Sequence, residues 1–205
     1  VWMTYAQPPF PSTAYWAPDP NQSHNPPNPF TVDVDRSFPK GAAFADWLWD
    51  AGVSTTFGKL DVTQTRHDVA GTGSGPTSAW LSALNPTADG GFSVQQLTFN
   101  TPYYGATQCG RVAYSDYHMT PFALIFPGAN GVFPHDCAGG PMTAQEKALA
   151  FMLFDLTSCV QSDQLPPRAC QRHDDPCASS TDCCSGFTCQ TATQSPCAGG
   201  ACTCQ

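Results

Sequence analysis

Eight of the eleven cysteines in this 205-residue chain lie between Cys170 and Cys204. The other three are scattered over the first 160 residues, so the end of the chain is a different kind of structure from the rest. Cysteines at this density, without redox or zinc motifs, are typical of proteins from an oxidising compartment. We therefore expect a secreted or surface-exposed protein, with one domain of ordinary size and a small disulfide-rich module at its C-terminus.

The adjacent Cys183 and Cys184 restrict this module further. Neighbouring cysteines cannot readily pair with each other, so they must connect different parts of the chain into a compact knot with little core. The spacing resembles that of inhibitor-cystine-knot and colipase-like modules, with two extra cysteines. A zinc site is the alternative, disfavoured because no suitably spaced histidine is present. The candidates for disulfide bonding are all eleven cysteines: Cys109, Cys137, Cys159, Cys170, Cys177, Cys183, Cys184, Cys189, Cys197, Cys202 and Cys204.

The charge balance disfavours two classes of partner. The chain has 8 basic and 16 acidic residues, which give a formal net charge of -8. Nucleic acid and anionic membranes repel a negative protein, so neither is an expected partner. No apolar run approaches the length of a membrane span, and Val1 does not begin a signal peptide. We expect the chain to be a mature or processed form.

The strongest secondary-structure signal lies at residues 142–159. Thr143 and Glu146 form a capping box that starts a helix, and the residues that follow leave almost no polar face. Upstream, residues 110–118 form a β-prone run that ends in polar side chains. A strand, a long excursion and a helix covered on several sides indicate an α/β layer.

Weaker signals place the remaining elements. Ser37 is expected to cap a helix that runs to about Ala51 and stops at Gly52. Strands are expected over residues 53–62, with a break at Gly58, and over residues 94–99.

Three domains follow from these signals. The first thirty residues are rich in proline, which excludes regular helix and central strands, while their aromatic residues favour a segment that wraps a surface. We therefore expect an irregular segment at 1–36 packed on the main domain, an α/β domain at 37–162 and the disulfide knot at 163–205.

Four polar residues are candidates for chemistry. His118 and Asp116 stand at the end of the strand predicted before them, where ligands of open α/β sheets bind, and could act in acid–base catalysis. His67 and Asp68 lie on a loop after a strand and could meet His118 at the same sheet edge, as an acid–base pair or a metal site. The alternative is a histidine that only ties the strand end to the next loop. We favour this alternative, because single His–Asp neighbourhoods are common.

Other catalytic signatures are missing from the sequence. The GTGSG segment does not match the nucleophile elbow G-x-S-x-G, and neither a phosphate-binding loop followed by lysine nor H-E-x-x-H occurs. The residues alone therefore nominate no reaction and no cofactor.

The order of several segments carries a resemblance. The segments FPKGAAFADWLWDAG, FGKLDV, QQLTFNTP, CGRVAYSDYHM and AQEKALAFMLFDLTSCV resemble a group of predicted extracellular proteins of myxobacteria-like organisms. Their domain looks like the ThuA-like branch of the class I glutamine-amidotransferase fold. The resemblance implies a three-layer, flavodoxin-like sheet with helices on both faces. Its closing strand would correspond to Gly110, Arg111, Val112, Tyr114 and His118.

The same resemblance implies that the sheet is incomplete. Val1 would fall in the middle of the domain, so the first strands and the turn that carries a nucleophile in amidotransferase relatives would be missing. A half-sheet exposes an unpaired edge, and another chain or the missing N-terminal half would have to cover it. The odd number of cysteines fits a partner lost with that half, although a free or externally paired thiol fits as well. The alternative is that the 205 residues fold by themselves around fewer strands.

Two classes of function remain. The first is a secreted, disulfide-stapled binding or structural module of the cell surface or extracellular matrix, which could present aromatic rings to a glycan. The second is an extracellular hydrolase or carbohydrate-active enzyme built on the His/Asp candidates. Approach of His67 and His118 to metal-ligand distance would favour the enzyme, whereas separation or burial of both against backbone partners would favour the module. We favour the module because no complete catalytic set is present. The rings available for stacking are those of Trp2, Tyr5, Tyr15, Trp16, Trp47, Trp49, Tyr103 and Tyr104.

Overall fold

A computed structural model divides the protein into two compact units, Val1–Pro166 and Pro167–Gln205. The described residues of the first unit form seven strands and three α-helices, and a single 3-10 turn, Phe10–Ser12, precedes β1. The strands are β1 (Tyr15–Trp16), β2 (Phe30–Val34), β3 (Lys59–Val62), β4 (Val69–Gly71), β5 (Ser78–Leu84), β6 (Phe92–Thr101) and β7 (Gly110–Ser115). The helices are α1 (Trp2–Tyr5), α2 (Pro39–Asp50) and α3 (Ala144–Thr157). The structure describes residues 2–17, 23–73, 75–88, 91–119, 141–157, 160–165, 176–183, 188–197 and 202–205.

Five of the strands form one sheet in the order β3-β2-β5-β6-β7, and β1 pairs separately with β4. Each of these pairs is antiparallel. The expected combination of a sheet with covering helices is therefore present. A flavodoxin-like sheet is parallel, because helical crossovers join its strands. The finer expectation of a flavodoxin-like, three-layer arrangement is thus not confirmed.

Helix α3 begins as the capping box predicts. The amide of Thr143 donates to Glu146 Oε2 at 2.6 Å, and the amide of Glu146 donates to Thr143 Oγ1 at 3.3 Å. Ala148 and Met152 are buried against the sheet-side core, whereas Leu153 and Phe154 are exposed. The described residues therefore cover one side of this helix rather than several.

Helix α2 ends as predicted but does not begin as predicted. Gly52 adopts a φ of 63°, the left-handed conformation expected after the helix. The cap at Ser37 is wrong: the helix starts at Pro39, and the capping position belongs to Phe38. The amide of Ser37 instead donates to Asp35 Oδ1 at 2.8 Å, so this residue belongs to a turn before the helix.

The strand predictions hold in the second half of the main unit better than in the first. The strand expected at 94–99 lies within β6, and the run from Gly110 forms β7. Only Lys59–Val62 of the segment 53–62 is a strand, because the amides of Val53 and Ser54 both donate to the carbonyl of Leu48 and close the end of α2. The long excursion expected before α3 lies almost wholly outside the described residues.

Strands β2 and β5 are missing from the sequence-based expectations. Strand β2 lies within the range 1–36 that was expected to be irregular, although FTVDV alternates strictly between buried and exposed positions. The proline-rich composition around this short segment obscured its period of two. Strand β5 follows the glycine-rich connection directly, and its Trp80 is fully buried.

Among the described residues, the core of the main unit consists of two apolar clusters, and only the second includes residues of β6. Helices α2 and α3 pack over Trp80 and the buried residues of β2 and β3. On the opposite face, Phe99 meets Phe10 at a ring-centroid distance of 6.3 Å. Trp16 packs edge-on against Tyr114 at 5.2 Å. The proline- and aromatic-rich segment thus covers the sheet face that the two long helices leave open.

Among the described residues of the C-terminal unit, six cysteines form three disulfides, Cys177–Cys189, Cys183–Cys204 and Cys197–Cys202. Two of them attach to the hairpin of β8 (Cys189–Gln190) and β9 (Thr203–Cys204). The disulfide framework expected for the tail is confirmed for these pairs. In the main unit, Cys109 is exposed and forms no disulfide with a cysteine that the structure describes, so its expected pairing is not found there. The other cysteines predicted as disulfide candidates, Cys137, Cys159, Cys170 and Cys184, lie outside the described residues.

A buried ionic cluster joins the helices to the sheet. Lys40 Nζ at the start of α2 lies 2.7 Å from Asp155 Oδ1 near the end of α3. Arg111 of β7 reaches the other oxygen of Asp155 through Nε at 2.6 Å, and its NH2 group binds Asp163. Thr98 Oγ1 donates to Asp163 Oδ2 at 2.9 Å. Two cations and two carboxylates balance, and each of these four side chains is less than 10% exposed.

Removing one cation of this cluster should destabilise the protein strongly. Lys40→Met keeps the aliphatic volume but leaves two buried carboxylates facing Arg111 alone. Breaking a buried ion pair typically costs about 3–5 kcal/mol, so we expect a loss of that size in the free energy of unfolding measured with urea.

Lys59→Met is the matched control. Its ion pair with Asp33 has both side chains about half exposed, and such pairs contribute about 0–1 kcal/mol. Equal losses in the two variants would show that the buried cluster does not hold the helices to the sheet.

Candidate binding site

The structure brings two of the four predicted site residues together. Asp116 is 2% exposed, and its Oδ2 accepts the amide of Asp68 at 2.8 Å. The hydroxyl of Tyr114 donates to Oδ1 at 3.1 Å, and the amide of Arg66 donates to the Asp116 carbonyl at 2.7 Å. Asp116 therefore fixes the segment before β4 to the end of β7.

The surroundings of Asp116 disfavour its charged form. Burial raises the pKa of its carboxyl to about 7, and the nearby charge of Asp68 acts in the same direction. The hydrogen bond from the Asp68 amide opposes both effects. Burial, followed by the charge of Asp116, also raises the pKa of Tyr114.

The two histidines have different surroundings. His67 is 7% exposed; its amide donates to Asn25 Oδ1 at 3.2 Å, and its ring lies 6.5 Å from that of His24. His118 is exposed. Its backbone amide donates to the carbonyl of Gln64, and its own carbonyl accepts from Nε2 of Gln145. Among the described residues, the groups of three side chains close enough to hold a metal consist of tail cysteines, and their sulfurs lie in the disulfides. The catalytic role of His118, Asp116, His67 and Asp68 stays a prediction.

A polar cleft of about 160 Å³ opens elsewhere on the main unit, where β5 begins and β6 ends. We call it the amide cleft, because Asn100, Gln108 and Gln164 contribute to its wall. Its other lining residues are Gly75, Pro76, Thr77, Ser78, Ser162 and Asp163.

The ionic cluster fixes the side chains in the floor of the amide cleft. Asn100 Oδ1 accepts from Arg111 NH1 at 2.9 Å, and its Nδ2 donates to Gln108 Oε1 at 3.1 Å. The carboxylate of Asp163 accepts hydrogen bonds from both Arg111 and Thr98. Because the side-chain amides of Asn100 and Gln108 have defined partners, the orientation of their donor and acceptor atoms is set before any ligand arrives.

Next to the lining residue Thr77 lies a pair of tyrosines, Tyr103 and Tyr104, which do not themselves line the cleft. Thr77 Oγ1 donates to the carbonyl of Thr13 at 2.6 Å and lies 2.7 Å from the Tyr103 hydroxyl. The ring of Tyr104 is 72% exposed and stands edge-on to that of Tyr103 at 4.6 Å. Gly75 is required here, since a Cβ at this position would lie 2.3 Å from the Tyr103 hydroxyl.

The sequence pointed to the tyrosines but not to the cleft. Tyr103 and Tyr104 were among the rings expected to be available for stacking, whereas the lining residues Asn100, Gln108 and Asp163 were not singled out. One signal was present: the polar Gln96, Thr98 and Asn100 alternate with the apolar Leu97 and Phe99 in a strand that is buried over most of its length. The partners of Thr98 and Asn100 include Arg111 of β7, and Thr98 also binds Asp163 after α3; no local pattern connects these residues to β6.

Comparison with protein-family models, with curated proteins and with solved structures finds no significant match to this chain.

The raised pKa of Asp116 predicts a pH-dependent stability. A carboxyl whose pKa is higher in the folded than in the unfolded state stabilises the fold at low pH, and this contribution is lost as the pH rises from about 4 to about 7. The loss is on the order of 4 kcal/mol at the upper end. Asp116→Asn keeps an acceptor for the Asp68 amide, so its unfolding free energy should fall less over this range than that of the unmodified protein.

Urea unfolding at pH 4, 5.5 and 7 measures this difference. Asp33→Asn, at an exposed carboxylate, serves as the control and should follow the unmodified protein. Parallel pH profiles for Asp116→Asn and the unmodified protein would contradict the assignment of the raised pKa to Asp116.

Proposed function

We propose that this chain is a secreted, disulfide-stapled binding module that takes one sugar ring of a glycan in the amide cleft. The observation that carries this proposal is a polar cleft of ring size whose floor is oriented by the buried ionic cluster. A cavity of about 150 Å³ holds a benzene molecule, so a cleft of about 160 Å³ suits a single six-membered ring.

The lining of the amide cleft suits hydroxyl groups rather than ions. Amides offer donors and acceptors side by side, and the hydroxyls of Ser78 and Ser162 can do either. The charge of Asp163 is balanced by Arg111 within the cluster, so the cleft has no unbalanced charge from this carboxylate. Polar groups that are already oriented lose little conformational entropy on binding, which favours affinity for a neutral polyol.

Tyr104 supplies the apolar part of such a site. A sugar presents a face of C–H groups, and an exposed aromatic ring provides the planar surface against which such a face can pack. The contact of its ring with Tyr103, whose hydroxyl is fixed by Thr77, restricts the rotation of Tyr104. We infer that Tyr104 lies against the ring bound in the cleft or against its neighbour in the glycan.

Secretion is supported by the chemistry of the tail. Three disulfides in the described part of the C-terminal unit are compatible with an oxidising compartment. None of the helices that the structure describes is long and apolar enough to cross a membrane. The relationship to ThuA-like domains, with its flavodoxin-like sheet completed by another chain or an N-terminal half, stays a prediction on which the proposed binding does not depend.

An extracellular hydrolase is the second candidate, and one observation favours it. A carboxyl with a pKa of about 7, such as that of Asp116, is suited to proton transfer at neutral pH. The carboxyl is nevertheless buried and bound to a backbone amide and a tyrosine, a geometry that suits a structural tie. The binding module is therefore the better-supported function.

Two substitutions test the amide cleft. Tyr104→Ala removes the exposed ring, and Gln108→Ala removes one amide of the wall. Losing an aromatic contact or a hydrogen bond of about 0.5–1.5 kcal/mol should weaken binding about 2- to 10-fold in each variant. Isothermal titration calorimetry with cellohexaose, xylohexaose and chitohexaose measures the affinity, after the sugar that binds has been selected by saturation-transfer NMR.

Tyr5→Ala is the matched control, because Tyr5 is 83% exposed, lies in α1 and belongs neither to the cleft lining nor to the tyrosine pair beside Thr77. We expect its affinity to equal that of the unmodified protein. Unchanged affinity in both Tyr104→Ala and Gln108→Ala would place the sugar elsewhere, and the absence of binding to every sugar tested would overturn the proposed function.

A further inference from the structure

A second polar cleft, of about 340 Å³, lies at the β3 edge of the five-stranded sheet. We call it the hydroxyl cleft, because four of its lining residues carry hydroxyl groups. It shares no lining residue with the amide cleft. The lining residues are Thr31, Val53, Ser54, Thr55, Thr56, Lys59, Leu60, Asp61 and Ala144.

Ser54 is the most informative of these residues. Its side chain is 8% exposed, and within the described part of the chain its Oγ has no hydrogen-bond partner. Its amide donates to the carbonyl of Leu48 at 3.1 Å, which holds the residue in place at the end of α2. A buried hydroxyl without a partner costs about 1–3 kcal/mol, and such a group in a cleft wall is satisfied when a ligand hydroxyl binds it.

The charged side chains of the hydroxyl cleft are already engaged. Thr31 Oγ1 donates to Asp61 Oδ1 and thereby orients the carboxylate. Lys59 forms an ion pair with Asp33 on the neighbouring strand. An anionic ligand would meet Asp61 without a free lysine to balance it, so the cleft favours a neutral ligand that donates hydrogen bonds to a carboxylate.

The loop that forms one wall of this cleft also carries an aromatic ring. Phe57 follows the lining residues Thr55 and Thr56 directly and meets Trp49 of α2 edge-on at a ring-centroid distance of 6.0 Å. Both rings are about half exposed, and the guanidinium carbon of Arg36 lies 5.1 Å above Phe57. Hydroxyl groups, a carboxylate and one aromatic ring, that of Phe57, are thus combined on one loop and the strand that follows it.

We propose that the hydroxyl cleft is a second glycan-binding site, which binds a neutral saccharide through adjacent sugar hydroxyls. The sugar hydroxyls form hydrogen bonds with Ser54 Oγ and with the carboxylate of Asp61. The cleft has about twice the volume of the amide cleft and suits two linked rings. This inference rests on the proposed function and extends it, because it makes the main unit a two-site glycan binder.

Two sites on one chain have a measurable consequence. A long polysaccharide that engages both sites binds the second one intramolecularly, which raises the overall affinity without any new contact. A short oligosaccharide occupies each site separately. We therefore expect two equivalents of a hexasaccharide per chain.

Stoichiometry and affinity test this inference directly. Isothermal titration calorimetry with the bound hexasaccharide should give two equivalents for the unmodified protein, and Ser54→Ala, which loses a single hydrogen bond to the sugar, should weaken one of the two sites about 2- to 10-fold. Because Ser54 Oγ has no partner among the described residues, this variant should unfold at the same temperature or higher, so that loss of binding is not loss of fold. Asp61→Asn should weaken the same site at least 5-fold, while the other site keeps its affinity.

Thr65→Val provides a matched control. Thr65 is also buried, and its Oγ1 likewise has no partner in the described residues, but it lines neither cleft. The control should retain both equivalents.

The outcomes separate this inference from the proposed function. A single equivalent that is weakened in Tyr104→Ala and unaffected by Ser54→Ala and Asp61→Asn overturns the second site and leaves the amide cleft standing. A single equivalent that is weakened only in Ser54→Ala and Asp61→Asn supports the hydroxyl cleft and overturns the amide cleft. Absence of binding to all three hexasaccharides overturns both.

Discussion

The main unit depends on a buried cluster of two cations and two carboxylates. Lys40, Arg111, Asp155 and Asp163 come from α2, β7, α3 and the segment after α3, so one set of interactions fixes both long helices against the sheet. Such a cluster stabilises the fold only while it is complete, since any single loss leaves a buried charge without its partner. Through Asn100 it also fixes the floor of the amide cleft. Stability and the geometry of the proposed site therefore share one origin.

The two faces of the sheet are covered by different means. Helices cover one face with a continuous apolar core, while the proline-rich N-terminal segment covers the other with aromatic side chains such as Phe10 and Trp16. A segment with so much proline cannot satisfy its backbone by regular structure, yet it can still bury rings against strands. Asp116 contributes here, because it fastens the segment before β4, which pairs with β1, to the end of β7.

Sequence patterns predicted individual helices and strands better than they predicted which strands pair with each other. The capping box of α3, the left-handed Gly52 and the strands β6 and β7 follow from local chemistry and are present. The cap of α2 at Ser37 was wrong, because its amide closes a turn with Asp35 instead. Strands β2 and β5 were missed, since proline and glycine nearby masked short alternating runs. The candidate site was predicted only through its tyrosines, because the residues that line its floor have no local motif.

The sequence by itself determined an oxidised, cysteine-stapled tail, an acidic main unit with two long helices, and several of the strands. These features follow from the spacing of the cysteines, from helix-capping residues and from hydrophobic periodicity, all of which involve residues close together in the sequence. Only the tertiary structure decided the antiparallel order of the strands, the burial of Asp116 and the meeting of Lys40 with Asp155 across 115 positions. The physical reason is that burial of a charged side chain requires an opposite charge beside it. Here that charge comes from a distant part of the sequence, so no local sequence pattern predicts the pair.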